Sequence, residues 1–418
     1  MYEIRYTEEQ LKKCGLNFLR NYAREIGGTP SLMKKDELIA YILDIQSEKI
    51  VPTRNKSGRK PLFFNGVNYS LLGMKSVEYD ENGEPTLKMG EPDGKENYAV
   101  GYFETVADNM GALTDGDRVI AFVPNAYISQ YRLREGDLVE GEWEIGRNNS
   151  KILTSLVSLN GKAPSEYVTR RFFDKADAIY PKTRISLSAL GTSGKMADVF
   201  SPVGQGQRCV LNYKKGLDEI SLMEKLAEAL KSSGVHTVVS YANCRPEDGK
   251  YLERVCDEVI WTSFKNSDDE HKKAVKLAVE RVKRIAETGD ASALILGSVY
   301  LTEEAFGTDK EKAIRTILAA AKNTENCGSV TLIALTDDKN LAEQLEGYCN
   351  CFISLDGKAL DVARSYTRRG DGMLHPRVKE VAEKIRLKSD NETIERVIGI
   401  FETSSNLDET INKLEELF

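Results

Sequence analysis

The stretch Ser201–Leu222, SPVGQGQRCVLNYKKGLDEISL, decides how this chain reads. A turn with Gly204 and Gly206 leads into an apolar run, Cys209-Val210-Leu211. A polar loop then opens into a helix-forming segment. Strand, loop and helix in that order are the setting of a phosphate-binding loop, in which backbone amides at a helix N-terminus cradle an anion. The cradle needs closely spaced glycines, a lysine for the β- and γ-phosphates, and a Ser or Thr hydroxyl for magnesium. The run here, Tyr213-Lys214-Lys215-Gly216-Leu217-Asp218-Glu219-Ile220, keeps the place and lacks that set at the matching spacing.

Outward from it, strands and helices alternate. Strands are expected at Cys209–Leu211, Thr237–Tyr241, Glu258–Trp261, Ala293–Leu296 and Val330–Leu335. Helices are expected near Ser221–Ser232, Lys250–Cys256, Glu270–Glu287 and Lys310–Asn323. Crossover helices between strands imply an α/β core with a mostly parallel sheet covered on both faces. This core spans residues 166–375, and residues 376–418 read as closing helices. Upstream, residues 98–165 hold short alternating strands (Ala99–Phe103, Arg118–Val123, Asp137–Ile145, Ile152–Leu159), the pattern of a small antiparallel OB-like barrel. Residues 1–49 read as a helical module. Thr7 with Gln10 fits a capping box, and Leu16, Leu19, Ala23 and Ile26, then Leu38, Ile39, Ile42 and Ile45, recur at helical spacing. Residues 50–97 form a linker or insert. Its basic patch Arg54–Lys60 reads either as a phosphate contact or as a solvated linker.

Composition bounds the rest. The 418 residues are 41% hydrophobic and 29% charged, with a net charge of −7. That fits a multidomain globular chain with a sizeable core and gives no general attraction to nucleic acid. Residues 1–60 carry 12 Lys/Arg against 8 Asp/Glu, net +4, whereas residues 101–160 carry 5 against 9, net −4. No apolar run reaches membrane-spanning length, and the start, Met1-Tyr2-Glu3-Ile4-Arg5, has no signal-like region, so a cytoplasmic protein without membrane contact is expected. Seven cysteines read as reduced thiols. His236, His271 and His375 lie far apart and Cys349 and Cys351 form only a Cys-x-Cys pair, so no metal site is expected.

Several segments together resemble one family, the bacterial transcription termination factor Rho. Ser201–Arg208 resembles the entry to its ATPase core. Ile128–Gly141, ISQYRLREGDLVEG, resembles its cold-shock-like barrel, and Arg171–Pro181 its connector into a RecA-type core. The helical module resembles its N-terminal domain, and Thr403-Ser404-Ser405-Asn406 lies in a tail like its closing helices. The resemblance implies a three-part RNA-dependent motor, and it also implies that the motor parts are altered. Matched without gaps from Gly206-Gln207-Arg208, Asp218 stands on the loop glycine, Glu219 on the lysine and Ile220 on the threonine. At about 4 Å and an effective dielectric near 20, the swapped charge turns several kcal/mol of phosphate attraction into repulsion. Asn243-Cys244-Arg245-Pro246 puts Cys244 where the family has its catalytic glutamate. Leu294-Ile295-Leu296-Gly297-Ser298 puts Gly297 in place of the magnesium-organising aspartate. The loop after it is shortened to roughly Thr302–Lys310. Ser365–Arg369 resembles the segment of the arginine finger, with Arg368 the candidate or a surface charge. Lys214, Lys215 and Gly216 remain as a weak substitute nucleotide site.

In the barrel the resemblance implies single-stranded RNA stacked on aromatic rings, at about 1–3 kcal/mol per base. Met110 and Ala112 stand where two rings belong. Phe122 survives as a stacking ring or as barrel core, with Arg132 and Arg134 as neighbouring cations, so RNA binding is expected to be weakened. The favoured reading is a Rho-like protein whose ATPase has decayed. It would need no cofactor and would form its own oligomer or join rings of an active Rho. The alternatives are an active RNA-dependent ATPase using ATP and magnesium, and a module binding a non-RNA partner.

Overall fold

A computed structural model describes residues 6–26, 33–47, 49, 63–64, 67–68, 78–79, 85–86, 97–107, 110–115, 118–146, 150–299, 302, 306, 310–357, 359–388 and 390–417. The basic patch Arg54–Lys60 and residues 303–305 and 307–309 of the Thr302–Lys310 loop lie outside the described residues. The chain divides into two compact units, Met1–Arg170 and Arg171–Phe418. Among the described residues no helix is long and apolar enough to cross a membrane.

The first unit opens with three helices, α1 (Glu8–Lys13), α2 (Leu16–Glu25) and α3 (Lys35–Gln46). The Thr7 hydroxyl accepts from the Gln10 N–H at 3.4 Å while the Gln10 side chain accepts from the Thr7 N–H at 2.9 Å, so the capping box forms. Leu11, Leu19, Ala23, Ile26, Leu38 and Ile42 are all buried together. Each such leucine or isoleucine contributes roughly 1.5–3 kcal/mol of burial, which lets three short helices hold one another.

The same unit contains the barrel: β1 (Tyr98–Ala107), β2 (Met110–Thr114), β3 (Val119–Val123), α4 (Asn125–Tyr131), β4 (Leu138–Ile145), β5 (Lys151–Leu153) and β6 (Ser158–Leu159). The strand order is β6-β4-β1-β2-β3-β5, and β5 also pairs with β4, so five strands close an OB-like barrel with β6 on its margin. The single strand expected over Ile152–Leu159 is two short strands, because the Thr154 and Ser155 N–H groups both turn to the Glu142 carbonyl. Alternation along β4 buries Val139, Gly141 and Trp143 and turns Glu140, Glu142 and Glu144 outward. The unit runs to Arg170. The Arg170 guanidinium grips the fully buried Asp137 carboxylate at 2.7 and 2.9 Å, tying the chain's exit to the start of β4.

In the second unit six parallel strands form the sheet: β7 (Arg208–Tyr213), β8 (His236–Cys244), β9 (Val259–Ser263), β10 (Ala291–Leu296), β11 (Ser329–Thr336) and β12 (Cys351–Asp356), in the order β9-β8-β10-β11-β7-β12. The helices are α5 (Thr192–Phe200), α6 (Glu219–Ser232), α7 (Pro246–Val255), α8 (Asp268–Ala286), α9 (Lys310–Ala319), α10 (Lys339–Glu346), α11 (Pro376–Leu387), α12 (Asn391–Thr403) and α13 (Leu407–Glu416). One face of the sheet packs Cys209, Leu211, Val239 and Ile295 against Met223, Leu226 and Leu230 of α6 and against α5, α11, α12 and α13. The closing helices therefore share this core and do not form a separate layer. Helix α8, started by a Ser267/Glu270 capping box, packs on β8, β9 and β10 with its own buried residues outside that cluster.

The helix expected to run to Asn323 stops at Ala319. Lys322–Thr324 is a short strand, antiparallel to β11 and paired with Ala178–Ile179. Its backbone crosses Gly206, which sits at φ +89; a Cβ there would meet the Asn323 nitrogen at 2.2 Å. The glycine of the Gln-Gly-Gln turn is needed for that crossing.

Candidate functional site

The loop from β7 to α6 lies at the carboxyl end of a central strand, where ligands of open α/β sheets bind. Cys209, Val210 and Leu211 are fully buried and fix the strand between β11 and β12. Beyond Tyr213 the chain makes a tight, exposed turn in which the Leu217 N–H donates to the Lys214 carbonyl at 3.1 Å. Asp218 caps α6, its carboxylate accepting from the Ile220 N–H at 3.1 Å. A side-chain cap thus occupies one of the free amides that a phosphate would need, and it is a carboxylate. Lys214 pairs with Asp356 at 3.0 Å in an exposed ion pair of small energetic weight, and Lys215 and Gly216 are exposed. Ile220 packs at the margin of the core and offers no hydroxyl.

Glu219, the first residue of α6, turns inward. One carboxylate oxygen accepts from the Ser298 backbone N–H at 2.6 Å, and the other from the Tyr241 hydroxyl at 3.1 Å. Tyr213, at the end of β7, lies close enough for its hydroxyl and the carboxylate to feel each other's charge. Burial raises the carboxyl above its ordinary value, its hydrogen-bond donors pull it back, and Asp337 nearby raises it further. Burial and then the Glu219 charge push both tyrosine hydroxyls far above their usual range. The strand ends of β7, β8 and β10 therefore converge on one carboxylate.

Gly297 closes the other side. A Cβ built there would stand 2.7 Å from the Met223 sulfur and 2.8 Å from Tyr241 Cδ2, so an aspartate fits only if those two side chains shift. Cys244, at the end of β8, is buried; burial first and Asp248 second push its thiol up to about 12, leaving it neutral and unreactive at physiological pH. Burial likewise raises Asp248, with Glu247 and Asp218 adding to it against Arg245. Among the described residues no group of His, Cys, Asp or Glu is arranged to hold a metal ion. Three residues mark these strand ends: the half-buried Glu219 carboxylate, Gly297 with Met223 and Tyr241 close around it, and the neutral Cys244 thiol. Arg368 lies elsewhere. It follows Thr367, which pairs with Cys351 at the amino end of β12, and its N–H donates to the Asn350 carbonyl at 2.8 Å. The chain does not bring its own Arg368 to Glu219.

In the barrel, Phe122 is half-exposed on the face turned away from the buried Ala121 and Val123. Cross-strand pairing places it in a row running Glu104, Ala112, Phe122, Ile152, Glu144. It is thus not core, and the row ends in carboxylates; burial and Glu142 raise that of Glu144. Arg132 is exposed, takes the left-handed conformation at φ 53 that ends α4, and lends its carbonyl to Arg170. The Arg134 N–H donates to Asp137 at 2.8 Å, and Asn160 binds the other Asp137 oxygen at 2.8 Å. The Leu-Arg and Gly-Asp spacing is therefore a scaffold built round a buried aspartate. The functional neighbours that the motif reading missed are Tyr213, Tyr241, Ser298 and Met223. Their signal in the sequence was a tyrosine near the end of two successive strands.

No protein-family model matches the chain. Among curated proteins it is similar to the transcription termination factor Rho of Micrococcus luteus, 27% identical over 345 residues, covering 71% of this chain and 48% of that one. The Rho of Streptosporangium roseum is 27% identical over 327 residues, 70% of this chain and 82% of that one. The Rho of Aquifex aeolicus is 24% identical over 413 residues, 89% and 86%. The chain spans about half the length of the Micrococcus luteus and Mycobacterium leprae proteins it matches. Among solved structures, an ATPase of the type III secretion system of pathogenic bacteria aligns with TM-score 0.46 at 14% identity, over 57% of this chain and 86% of that one. An ATP synthase subunit of Nanoarchaeum equitans aligns with TM-score 0.48 at 11% identity, over 57% and 76%.

Proposed function

We propose that this chain, a relative of the transcription termination factors named Rho, acts in transcription termination or its regulation without turning over ATP. The observation that carries this reading is the Glu219 carboxylate, hydrogen-bonded to the Ser298 N–H and Tyr241 at the head of α6, where a phosphate would need a lysine. Phosphoryl transfer depends on positioning and on stabilising developing charge. A carboxylate at that spot, a filled space beside Gly297 and a neutral Cys244 oppose each requirement. The parallel order β9-β8-β10-β11-β7-β12 with its helices supports a RecA-type core kept for assembly, either with copies of itself or within a ring of an active relative. In this reading Arg368, at the amino end of β12 and away from Glu219, is available to a neighbouring subunit.

The test is calorimetry of the purified full chain with magnesium–ATP, alone and after addition of a pyrimidine-rich RNA. The reading expects no saturable heat from the nucleotide in either case. Saturation at micromolar ATP would overturn it and return the chain to the motors. Co-purification with an active Rho, with a fall in that enzyme's ATP turnover, would establish the mixed ring; a chain that neither self-assembles nor enters such a ring would remove the assembly role.

A further inference from the structure

Glu219 is a half-buried carboxylate whose two oxygens are both engaged, by donors from the ends of two separate strands. The Ser298 N–H follows β10 and the Tyr241 hydroxyl belongs to β8, while Tyr213 at the end of β7 stands near enough to feel the charge. The acceptor itself begins α6, a helix of 14 residues whose N-terminus favours negative charge. One phenol and one amide, with no lysine or arginine among these donors, suit a small, singly charged oxyanion. The space beside them is closed by Met223 and Tyr241, which already leave no room for a Cβ on Gly297.

We propose that these donors form an anion seat that the chain fills with its own side chain, Glu219 serving as an internal ligand that ties α6 to the ends of β8 and β10. The inference rests on the nucleotide-independent reading above and adds the reason the core needs no nucleotide to hold those strand ends together. A tethered carboxylate acts at an effective concentration that free anions at ordinary levels do not match, so the seat is closed to solution ligands while Glu219 is present. Burial without a partnering cation raises the carboxyl, but its two donors are what keep a charged form tolerable there. The seat takes a carboxylate; the surrounding packing disfavours the larger phosphate.

The experiment is chemical complementation of Glu219→Ala in the full chain, read by thermal unfolding in sodium acetate, sodium phosphate and sodium chloride at matched ionic strength. The expected result is a lowered midpoint in chloride that acetate raises by several degrees, phosphate raises less, and a wild-type midpoint that does not distinguish acetate from chloride. A folded variant with the same midpoint in acetate and chloride would overturn the proposal, as would a wild type stabilised by acetate to the same extent. If Glu219→Ala does not fold, Glu219→Gln, which keeps an oxygen for the Ser298 N–H, is followed by near-ultraviolet titration of the tyrosines. Removing the charge should let two phenols ionise at lower pH than in the wild type, and superimposable curves would overturn the proposal. The two readings fail separately: ATP heat in the wild type removes the proposed function, whereas absent acetate rescue without ATP heat removes only the seat.

Discussion

The Glu219 carboxylate lies 2.6 Å from the Ser298 backbone nitrogen, 79 residues further along the chain, and so joins the head of α6 to the loop that follows β10. The bond holds two distant parts of the chain against each other. Removing a satisfied acceptor leaves its donors buried and unpaired, at about 1–3 kcal/mol per group. Glu219→Lys therefore does not restore a phosphate site. It sets an ammonium against the Ser298 N–H and the Tyr241 hydroxyl, both of which donate. The expected outcome is a lower unfolding midpoint and no calorimetric heat with magnesium–ATP. Saturable ATP heat in this variant would mean that the loop is competent and only its charge was wrong.

Gly297→Asp tests the filled space directly. The new Cβ would overlap the Met223 sulfur and Tyr241, and overpacking of this kind costs about 1–3 kcal/mol. Shortening the neighbour should relieve it. In a double-mutant cycle with Met223→Ala, the pair is expected to be more stable than the sum of the two single losses predicts, measured by denaturant unfolding. Strict additivity would show that Met223 does not fill the aspartate's place.

How much of this was legible beforehand depends on the range of the interactions. The parallel core, the short strands of the barrel and the helix cap at Thr7 follow from local pattern, since buried strands read as apolar runs and a cap reads as Ser or Thr three residues before Glu or Gln. The altered positions Glu219, Cys244 and Gly297 were visible because each stands at a fixed place relative to a strand end. The seat was not visible. Tyr213, Tyr241 and Ser298 are brought together only by the strand order β8-β10-β11-β7, which periodicity does not reveal. Phe122 was undecided for the same reason: alternation gives two faces to a strand, and the register with Ala112 and Ile152 was needed to say which of them is core. The end of α9 was misjudged because the sheet recruits Lys322–Thr324 as a strand, overriding a helical pattern.

A pH prediction follows from the other end of β8. Burial by itself would raise the Glu258 carboxyl, but the Arg281 guanidinium, 2.5 Å away, and His236, 2.9 Å away, hold it down to about 2. Its folded-state value is thus below the ordinary 4.5, so the folded state binds its proton more weakly than the unfolded chain does. The contribution, up to about 3 kcal/mol, is complete above the unfolded value and is lost as pH falls from about 4.5 towards 2. Glu258→Gln is expected to be less stable at neutral pH and to have a flatter stability profile through that acid window, measured by urea unfolding at stepped pH. Parallel profiles for the two proteins would show that Glu258 does not set the acid limb.

The barrel supplies the last prediction. Phe122 has one half-exposed ring available for stacking, and its cross-strand row ends in Glu104 and Glu144. A base stacked there gains about 1–3 kcal/mol, while its phosphates approach a segment of net charge −4. Affinity for single-stranded RNA also scales with the number of phosphates neutralised, at a slope of about −0.7 per contact in log affinity against log salt. With few cations on this surface, the wild type is expected to bind a pyrimidine-rich RNA weakly and with a shallow slope. Phe122→Ala should weaken it further by at least about fivefold, the equivalent of about 1 kcal/mol. Glu104→Gln combined with Glu144→Gln should strengthen it, because the double substitution removes repulsion without adding a contact. Fluorescence anisotropy across a salt series reads all three. Tight binding with a steep slope that ignores Phe122 would place any RNA contact outside this row and remove the barrel face from the argument.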